Sequence, residues 1–174
     1  MKKIIVGIIL TSCLWSNENF NELKSFQSNF KQTVTENKNQ KIVYTGEIFA
    51  NNENHALWVY KTPVRKEIYV TERNVLLIEP EIEQVIIKRI SSTIDIFKML
   101  KNAKFYKKDI FLLEKDNIEY YIYVDKDKTL LKITYIDEFS NNVTINFSNQ
   151  KINRDIPYKI FIPEFPDYFD LIKS

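Results

Sequence analysis

The residues that could carry catalytic chemistry are few and are not arranged for it. His55 is the single histidine of the 174 residues. It belongs to no recognisable set of nucleophile, base and carboxylate, so we interpret it as an exposed residue at the start of a strand. Glu79, Glu81 and Glu83 flank Pro80, but a calcium loop normally brings a glycine and more oxygen ligands. A solvated turn accounts for these glutamates better. We therefore expect no catalytic residue and no metal site, and the chain is not predicted to be an enzyme.

Counts of glycine, cysteine and charge exclude further classes. The two glycines, Gly7 and Gly46, cannot build a glycine-rich phosphate loop, so we expect no nucleotide or other cofactor. The single cysteine, Cys13, excludes a disulfide scaffold within the chain. The 25 Lys and Arg exceed the 23 Asp and Glu by two, and Lys2 and Lys3 account for that excess. The rest of the chain is neutral, which does not favour nucleic acid as a partner.

The first 16 residues have the pattern of a secretory signal peptide. Lys2 and Lys3 precede an apolar run over 4–10, and Thr11 and Ser12 follow it. This segment is too short to span a bilayer. We therefore predict a signal peptide over 1–16 and a single domain over 17–174, whose 44% hydrophobic residues are enough for a sizeable core.

A second interpretation of the same segment concerns Cys13. Leu10-Thr11-Ser12-Cys13 resembles the lipobox of bacterial lipoproteins, in which the cysteine is diacylated and becomes the new N-terminus. Cys13 is thus either removed with the signal peptide or is a lipidation site. The two alternatives lead to a diffusing protein and to a membrane-anchored protein, respectively.

Apolar spacing predicts two helices and many strands. Phe20, Leu23, Phe26 and Phe30 recur at helical spacing, which predicts a long N-terminal helix. After Phe30 the period becomes two. Ten strands are predicted, over 30–35, 41–50, 55–61, 65–71, 74–78, 82–90, 110–115, 118–125, 129–137 and 143–149. Clusters of Asn and Asp separate them and replace glycine in the turns, since both tolerate left-handed backbone angles.

The second predicted helix lies in the middle of the chain. Ser92-Thr93-Ile94-Asp95 is a capping box, and a broad apolar face follows it until about Asn102. Two helices cannot cover both faces of some ten antiparallel strands. Either the sheet of the predicted α+β fold closes on itself, or its concave face is incompletely filled, and an incompletely filled apolar concavity is a site of lipid size.

Four stretches of the chain resemble the outer-membrane lipoprotein carrier family, LolA. The most specific is a Pro-x-x-Glu-Gln segment directly after an apolar strand. The stretches are Phe26-x3-Phe30-Lys31-Gln32-Thr33-Val34; Gly46-Glu47-Ile48-Phe49 with Leu57-Trp58-x-Tyr60 and Pro63; Leu77-Ile78-x-Pro80-x-Ile82-Glu83-Gln84-Val85; and Phe161-Ile162-Pro163.

The resemblance implies a fold and a function. The fold is an open antiparallel β half-barrel of about ten to eleven strands, with a long N-terminal helix and a mid-chain lid helix over an apolar cavity. The function is that of a monomeric periplasmic chaperone. It receives acylated lipoproteins from an inner-membrane lipoprotein-releasing ABC complex and delivers them to an outer-membrane receptor. The alternative is a receptor or insertion factor of the same fold, anchored to the outer membrane through Cys13.

Alternating strand positions and the resemblance together give candidate site residues. The strand positions expected to line the lipid-binding cavity are Phe30, Ile48, Trp58, Ile78, Val85, Leu113, Tyr121, Ile133 and Ile145. The lid positions are Ile94, Phe97 and Leu100. The family commonly holds its lid closed with an arginine between the second and third strands, and Asn52 is the nearest counterpart here.

Overall fold

The computed structural model describes residues 20, 22–36, 40–71, 73–89 and 96–173. The predicted signal peptide, Cys13, the capping box and the lid residue Ile94 lie outside the described residues. Within them the chain forms twelve strands and one helix, α1 (Ile96–Asn102). The strands are β1 (Ser25–Thr35), β2 (Lys41–Asn51), β3 (Ala56–Thr62), β4 (Lys66–Val70), β5 (Asn74–Glu79), β6 (Gln84–Arg89), β7 (Lys104–Lys107), β8 (Ile110–Lys115), β9 (Ile118–Val124), β10 (Leu130–Ile136), β11 (Asn142–Ile152) and β12 (Asp170–Lys173).

All twelve strands belong to one open sheet. Its order is β12-β6-β5-β4-β3-β2-β1-β11-β10-β9-β8-β7. Every neighbouring pair is antiparallel except β12 with β6, which is parallel. Strand β1 pairs with both β2 and β11 and so joins two meanders, β1 to β6 and β7 to β11. The first and last strands in the order do not pair with each other, so the sheet is unclosed.

The predicted N-terminal helix is wrong from Ser25 onwards, where β1 begins. Phe26 and Phe30 are four residues apart, a spacing that suits both a helix face and a strand face. The side chain that separates the two possibilities is Ser28, which is 1% exposed and lies on the same face as Phe26 and Phe30. Because a buried serine does not register in a hydrophobic pattern, the period of two was hidden.

The predicted strands are otherwise confirmed, and two were missed. The ten predicted segments correspond to β1–β6 and β8–β11, but β7 and β12 bring the total to twelve. All four residues of each missed strand are exposed, so neither shows alternation. With twelve strands and one α-helix among the described residues, the fold is mostly β, where an α+β fold with two helices and ten to eleven strands was expected.

Three hairpin turns share one hydrogen-bonding pattern. Asn51, Asp125 and Asp137 each accept hydrogen bonds from the backbone N–H groups two and four residues further on. The residue three positions on has a left-handed backbone, with φ of 63°, 62° and 64° in the three turns. These turns confirm that polar side chains replace glycine, since an Asx side chain satisfies the turn's N–H groups itself.

The sheet buries apolar side chains on both faces. The face that carries α1, here called the helix face, holds the larger cluster, including Phe26, Ile48 and Ile133. The opposite face, here called the tail face, holds a second cluster around Tyr69 and Phe161. That cluster is completed by apolar residues of the C-terminal segment 156–169, which precedes β12. The C-terminal segment thus takes the place of a second layer on one half of the sheet.

Candidate lipid-binding face

The helix face is built on a row of aromatic rings around Phe30. The Phe30 ring lies 5.1 Å from Trp58 and 4.9 Å from Tyr60, both edge to face. Such pairs are worth roughly 0.5–1.5 kcal/mol beyond their buried area. Phe26 makes a similar contact with Phe147 at 5.8 Å. These rings line the middle of the sheet, where β1 separates the two meanders.

Gly46 makes room for the Phe30 ring. Gly46 is the register partner of Phe30 on β2. A Cβ atom there would lie 2.7 Å from the tip of the Phe30 ring and would overlap the carbonyl oxygen of Val59. Glycine is therefore required by a close approach and not by its backbone angles, since its φ is not positive.

Helix α1 fills the middle of the helix face with its own side chains. Ile96, Phe97, Met99 and Leu100 are each at most 2% exposed. A void of about 180 Å³ remains beside Leu100, lined also by Phe20, Phe26 and Ile152. An apolar void of about 150 Å³ holds a single benzene, and ligand pockets run to roughly 300–1,000 Å³. Acyl chains cannot enter this face until α1 moves.

Most of the predicted cavity residues lie together on this face. Phe30, Ile48, Trp58, Ile133 and Ile145 belong to the cluster of the helix face, as do Phe97 and Leu100 of the lid. Leu113 is partly buried and packs against the same cluster. Register explains the grouping, since Ile133 pairs with Ile145 across β10 and β11.

Three predicted cavity residues lie elsewhere. Ile78 and Val85 pair with each other across β5 and β6 and belong to the tail face, where the C-terminal segment covers them. Tyr121 follows the buried Tyr120 on β9 and points to the other side of the sheet, where its hydroxyl donates to Glu119 at 2.6 Å. That hydrogen bond raises the pKa of Tyr121 to about 12. Neighbouring residues of a strand point to opposite faces, so a shift of one residue in the assumed alternation places each of these side chains on the wrong face.

Sequence reasoning missed a polar group on the helix face, at the end of the apolar cluster. It consists of Tyr44, Tyr60, Tyr120, Tyr135, Gln32 and Lys66, here called the tyrosine belt. The Tyr60 hydroxyl donates to the Gln32 Oε1 atom at 2.8 Å. The Lys66 ammonium lies 4.5 Å from the centre of the Tyr60 ring and 5.1 Å from that of Tyr44. Burial lowers the pKa of Lys66, and the carboxylate of Glu79 opposes that shift.

An open cavity of about 860 Å³ adjoins the belt between the ends of β9, β10 and β11. Tyr120 and Tyr135 form part of its wall, and their rings lie 4.8 Å apart. Burial raises the pKa of Tyr135, with the nearby Tyr60 as a further cause. The rest of the wall includes the carboxylates of Asp116, Glu119, Asp137 and Glu138.

Asn52, which was predicted to be the nearest counterpart of the family's lid-holding arginine, lies in the turn between β2 and β3. Its side chain is exposed. Its backbone N–H donates to the carbonyl oxygen of Lys24 at 2.9 Å, which ties the turn to the chain just before β1. It lines a polar cavity together with Arg154, so its position is at the end of the sheet.

His55 is more enclosed than expected from sequence. Its side chain is 18% exposed, and its ring stacks on Phe161 at 5.7 Å and meets Tyr158 edge to face at 5.3 Å. Its Nδ1 atom is buried, 4.0 Å from the Glu53 carboxylate. The interpretation as an exposed residue was wrong because the C-terminal segment, which covers His55, could not be placed from sequence. These contacts, all among described residues, include no serine or cysteine nucleophile.

The fold and the site define the class of protein. One open antiparallel sheet buries an apolar face beneath a short helix, as in a half-barrel that takes apolar ligands. The family model "Outer membrane lipoprotein carrier protein LolA" matches residues 21–164, and the chain belongs to that family.

Named relatives agree with this assignment over most of their length. An outer-membrane lipoprotein carrier protein of Campylobacter jejuni is 35% identical, covering 99% of this chain and 100% of the relative. One of Helicobacter pylori strain J99 is 37% identical, covering 80% of this chain and 74% of the relative.

Solved structures share the fold at low sequence identity. A LolA superfamily protein of Nitrosomonas europaea aligns with a TM-score of 0.52 at 14% identity, covering 82% of this chain and 91% of that structure. An uncharacterised conserved protein of Thermus thermophilus aligns with a TM-score of 0.56 at 10% identity, covering 91% and 95%. In the described part of the chain, helix length and apolar character fall short of what a membrane-spanning helix requires.

Proposed function

We propose that the chain carries acylated lipoproteins through the periplasm, with their acyl chains held against the helix face. The observation that supports this most directly is the burial of four apolar side chains of α1 on that face. A seven-residue helix with four buried apolar side chains can be displaced from the helix face by an apolar ligand of similar size. The family and its named carrier relatives support acyl chains as this ligand.

The lid in this proposal is α1. No disulfide holds it, since Cys13 is the single cysteine of the chain. Burial of each large apolar side chain contributes about 1.5–3 kcal/mol. Opening the lid therefore costs a substantial free energy, which bound acyl chains offset by burying their own methylenes.

The same proposal gives the partners and the route. A lipoprotein-releasing ABC complex of the inner membrane supplies the cargo, and an outer-membrane receptor accepts it. The carrier acts as a monomer and binds no nucleotide itself. The named relatives favour this carrier over the receptor anchored through Cys13.

Lid variants test the proposal with a matched control. Phe97→Glu places a charge on the buried face of α1, and Lys101→Glu places the same charge on its exposed side. Uptake of a synthetic tripalmitoylated cysteine peptide is followed by native mass spectrometry, and unfolding by urea is measured in parallel. We expect Phe97→Glu to lose peptide uptake while it remains folded, because its charge would lie against the acyl chains, whereas an apolar truncation of the lid adds no charge there. Lys101→Glu should behave as wild type. Wild-type protein that takes up no acylated peptide would disprove the carrier function.

A further inference from the structure

Tyrosines on the two faces of the sheet differ in how their hydroxyl groups are satisfied. On the tail face, Tyr69 donates to Glu67 at 2.9 Å. Tyr121, also facing away from α1, donates to Glu119 at 2.6 Å. In both cases the acceptor is a glutamate two residues earlier on the same strand, which shares its face. These hydroxyls have no capacity left to donate to a ligand.

On the helix face, three of the four belt tyrosines have hydroxyls without such an acceptor. Tyr60 donates to Gln32. Tyr44, Tyr120 and Tyr135 make no hydrogen bond through their hydroxyls to any residue that the structure describes. The hydroxyl oxygens of these three tyrosines are not among the buried unpaired side-chain atoms of the described residues, so they reach solvent, and a ligand would replace water as their partner. Their rings are packed, and so their hydroxyls are held in place for such a partner.

The belt lies at the boundary between apolar floor and open cavity. Along β1, the floor runs from Phe26 to Phe30, and Gln32 of the belt follows on the same face. Phe26 to Gln32 is about 20 Å at roughly 3.3 Å per strand residue. One leaflet of a bilayer holds its acyl chains within about 15 Å. An acyl chain with its carbonyl end at the belt therefore extends along the floor past Phe30 and ends within about 5 Å of Phe26.

The charges around the belt select the kind of head group. Lys66 is its one cation, and Glu79 lies close enough to affect the pKa of Lys66. Burial is the main cause that raises the pKa of Tyr120, with Asp116 as a further cause, and burial likewise raises the pKa of Tyr135, with Asp137 as a lesser cause. Both carboxylates line the cavity beside these tyrosines. The donors are thus surrounded by carboxylates, which repel an anionic phosphate but not an uncharged ester.

We propose that the tyrosine belt binds the ester carbonyl oxygens at the head of a diacylglyceryl group, with Tyr120 and Tyr135 as the main donors. This deepens the proposed carrier function and rests on it. The belt fixes the direction of the acyl chains, and the 860 Å³ cavity beyond it receives the glyceryl group and the start of the cargo peptide. The surrounding carboxylates favour a diacylglyceryl cysteine, whose head is uncharged at this point, over an anionic phospholipid.

An ester-to-ether comparison tests the belt separately from the apolar floor. The ligands are a dipalmitoylglyceryl cysteine peptide and its dihexadecyl ether counterpart, which lacks the carbonyl oxygens and keeps the chains. Affinities are measured by displacement of a fluorescent fatty acid. We expect wild type to prefer the ester by about 5- to 10-fold, as one or two net hydrogen bonds would give. Tyr120→Phe/Tyr135→Phe should bring that ratio close to one, and Tyr69→Phe, on the tail face and outside the lining of the cavity, should leave it unchanged.

The outcomes separate the two proposals. Two results would disprove ester binding by the tyrosine belt without affecting the carrier function. One is that wild type binds the ether and the ester equally well. The other is that Tyr120→Phe/Tyr135→Phe still prefers the ester. If wild type binds neither the ester nor the ether peptide, the carrier function itself is disproved. Dipalmitoyl phosphatidylglycerol serves as the anionic ligand, and binding as tight as that of the cysteine peptide would disprove the charge selection. If the double variant does not fold, Tyr120→Phe and Tyr135→Phe are measured singly.

Discussion

At the scale of single residues, the contact between Gly46 and Phe30 is the tightest constraint on the helix face. The Phe30 ring occupies the space that a side chain at position 46 would need, and it also packs against Trp58 and Tyr60. A glycine in a strand normally weakens it. Here the loss is offset because the glycine lets the tip of the central aromatic ring approach the strand closely.

Gly46→Ala should therefore destabilise the fold by about 1–3 kcal/mol, the usual cost of overpacking a core. Urea denaturation measures the change. Phe30→Leu in the same chain should recover part of the loss, because the ring contact is relieved while the overlap with the Val59 carbonyl oxygen remains. A Gly46→Ala variant as stable as wild type would show that the strand shifts freely, and that the contact imposes no constraint.

Ile48 and Ile78 show which part of the site sequence could predict. Both are buried strand isoleucines, 0% and 3% exposed, and both were predicted to line the cavity. Ile48 lies on the helix face and Ile78 on the tail face. Burial was predictable from alternation. The face was not predictable, because the apolar residues of β5 and β6 fit either face of the sheet. Which face they occupy depends on the C-terminal segment that covers them.

Ile48→Ala and Ile78→Ala should each lower the free energy of unfolding by about 2–5 kcal/mol. Only Ile48→Ala should also weaken uptake of the acylated peptide, because Ile78 faces away from α1. Thermal unfolding and native mass spectrometry on the same samples separate the two effects. Equal weakening of uptake by both variants would assign the acyl chains to both faces.

At the scale of elements, the repeated Asx turn replaces the glycines that the chain lacks. The Asp137 carboxylate accepts from the N–H groups of Phe139 and Asn141 at 3.0 and 2.8 Å, and Ser140 adopts the left-handed angle. The turns at Asn51 and Asp125 repeat this arrangement. The sequence indicated these turns correctly, since Asx clusters are a local signal, whereas edge strands β7 and β12 carry no local signal at all.

Asp137→Ala should destabilise the protein by about 1–3 kcal/mol, since two backbone N–H groups lose their acceptor. Ser140→Gly should raise stability by a few tenths to about 1 kcal/mol, because glycine adopts the left-handed angle without steric cost. Chemical denaturation of the two single variants measures the sign of each change in the free energy of unfolding. A stabilising Asp137→Ala or a destabilising Ser140→Gly would contradict the turn geometry.

At the scale of the whole molecule, the carrier must both hold and release its cargo. Three acyl chains carry about 40 methylenes, each worth about 0.8 kcal/mol when buried. Full burial would give roughly 30 kcal/mol, beyond the practical ceiling of about 18–21 kcal/mol for noncovalent binding. The sheet can meet this limit because α1 competes for the same face, and because one sheet face covers the chains on one side only.

Competition between α1 and the acyl chains makes a prediction about Leu100, a residue of α1 that is 1% exposed. Leu100→Ala weakens the closed state by about 2–5 kcal/mol, and a ligand that binds only the open state gains affinity when the closed state is weakened. We therefore expect Leu100→Ala to bind the tripalmitoylated peptide more tightly and to release it more slowly than wild type. Ile78→Ala is the control, since it loses comparable stability on the tail face and should keep wild-type release. Stopped-flow displacement measures both rates, and identical release from the two variants would mean that α1 and the acyl chains do not compete for the helix face.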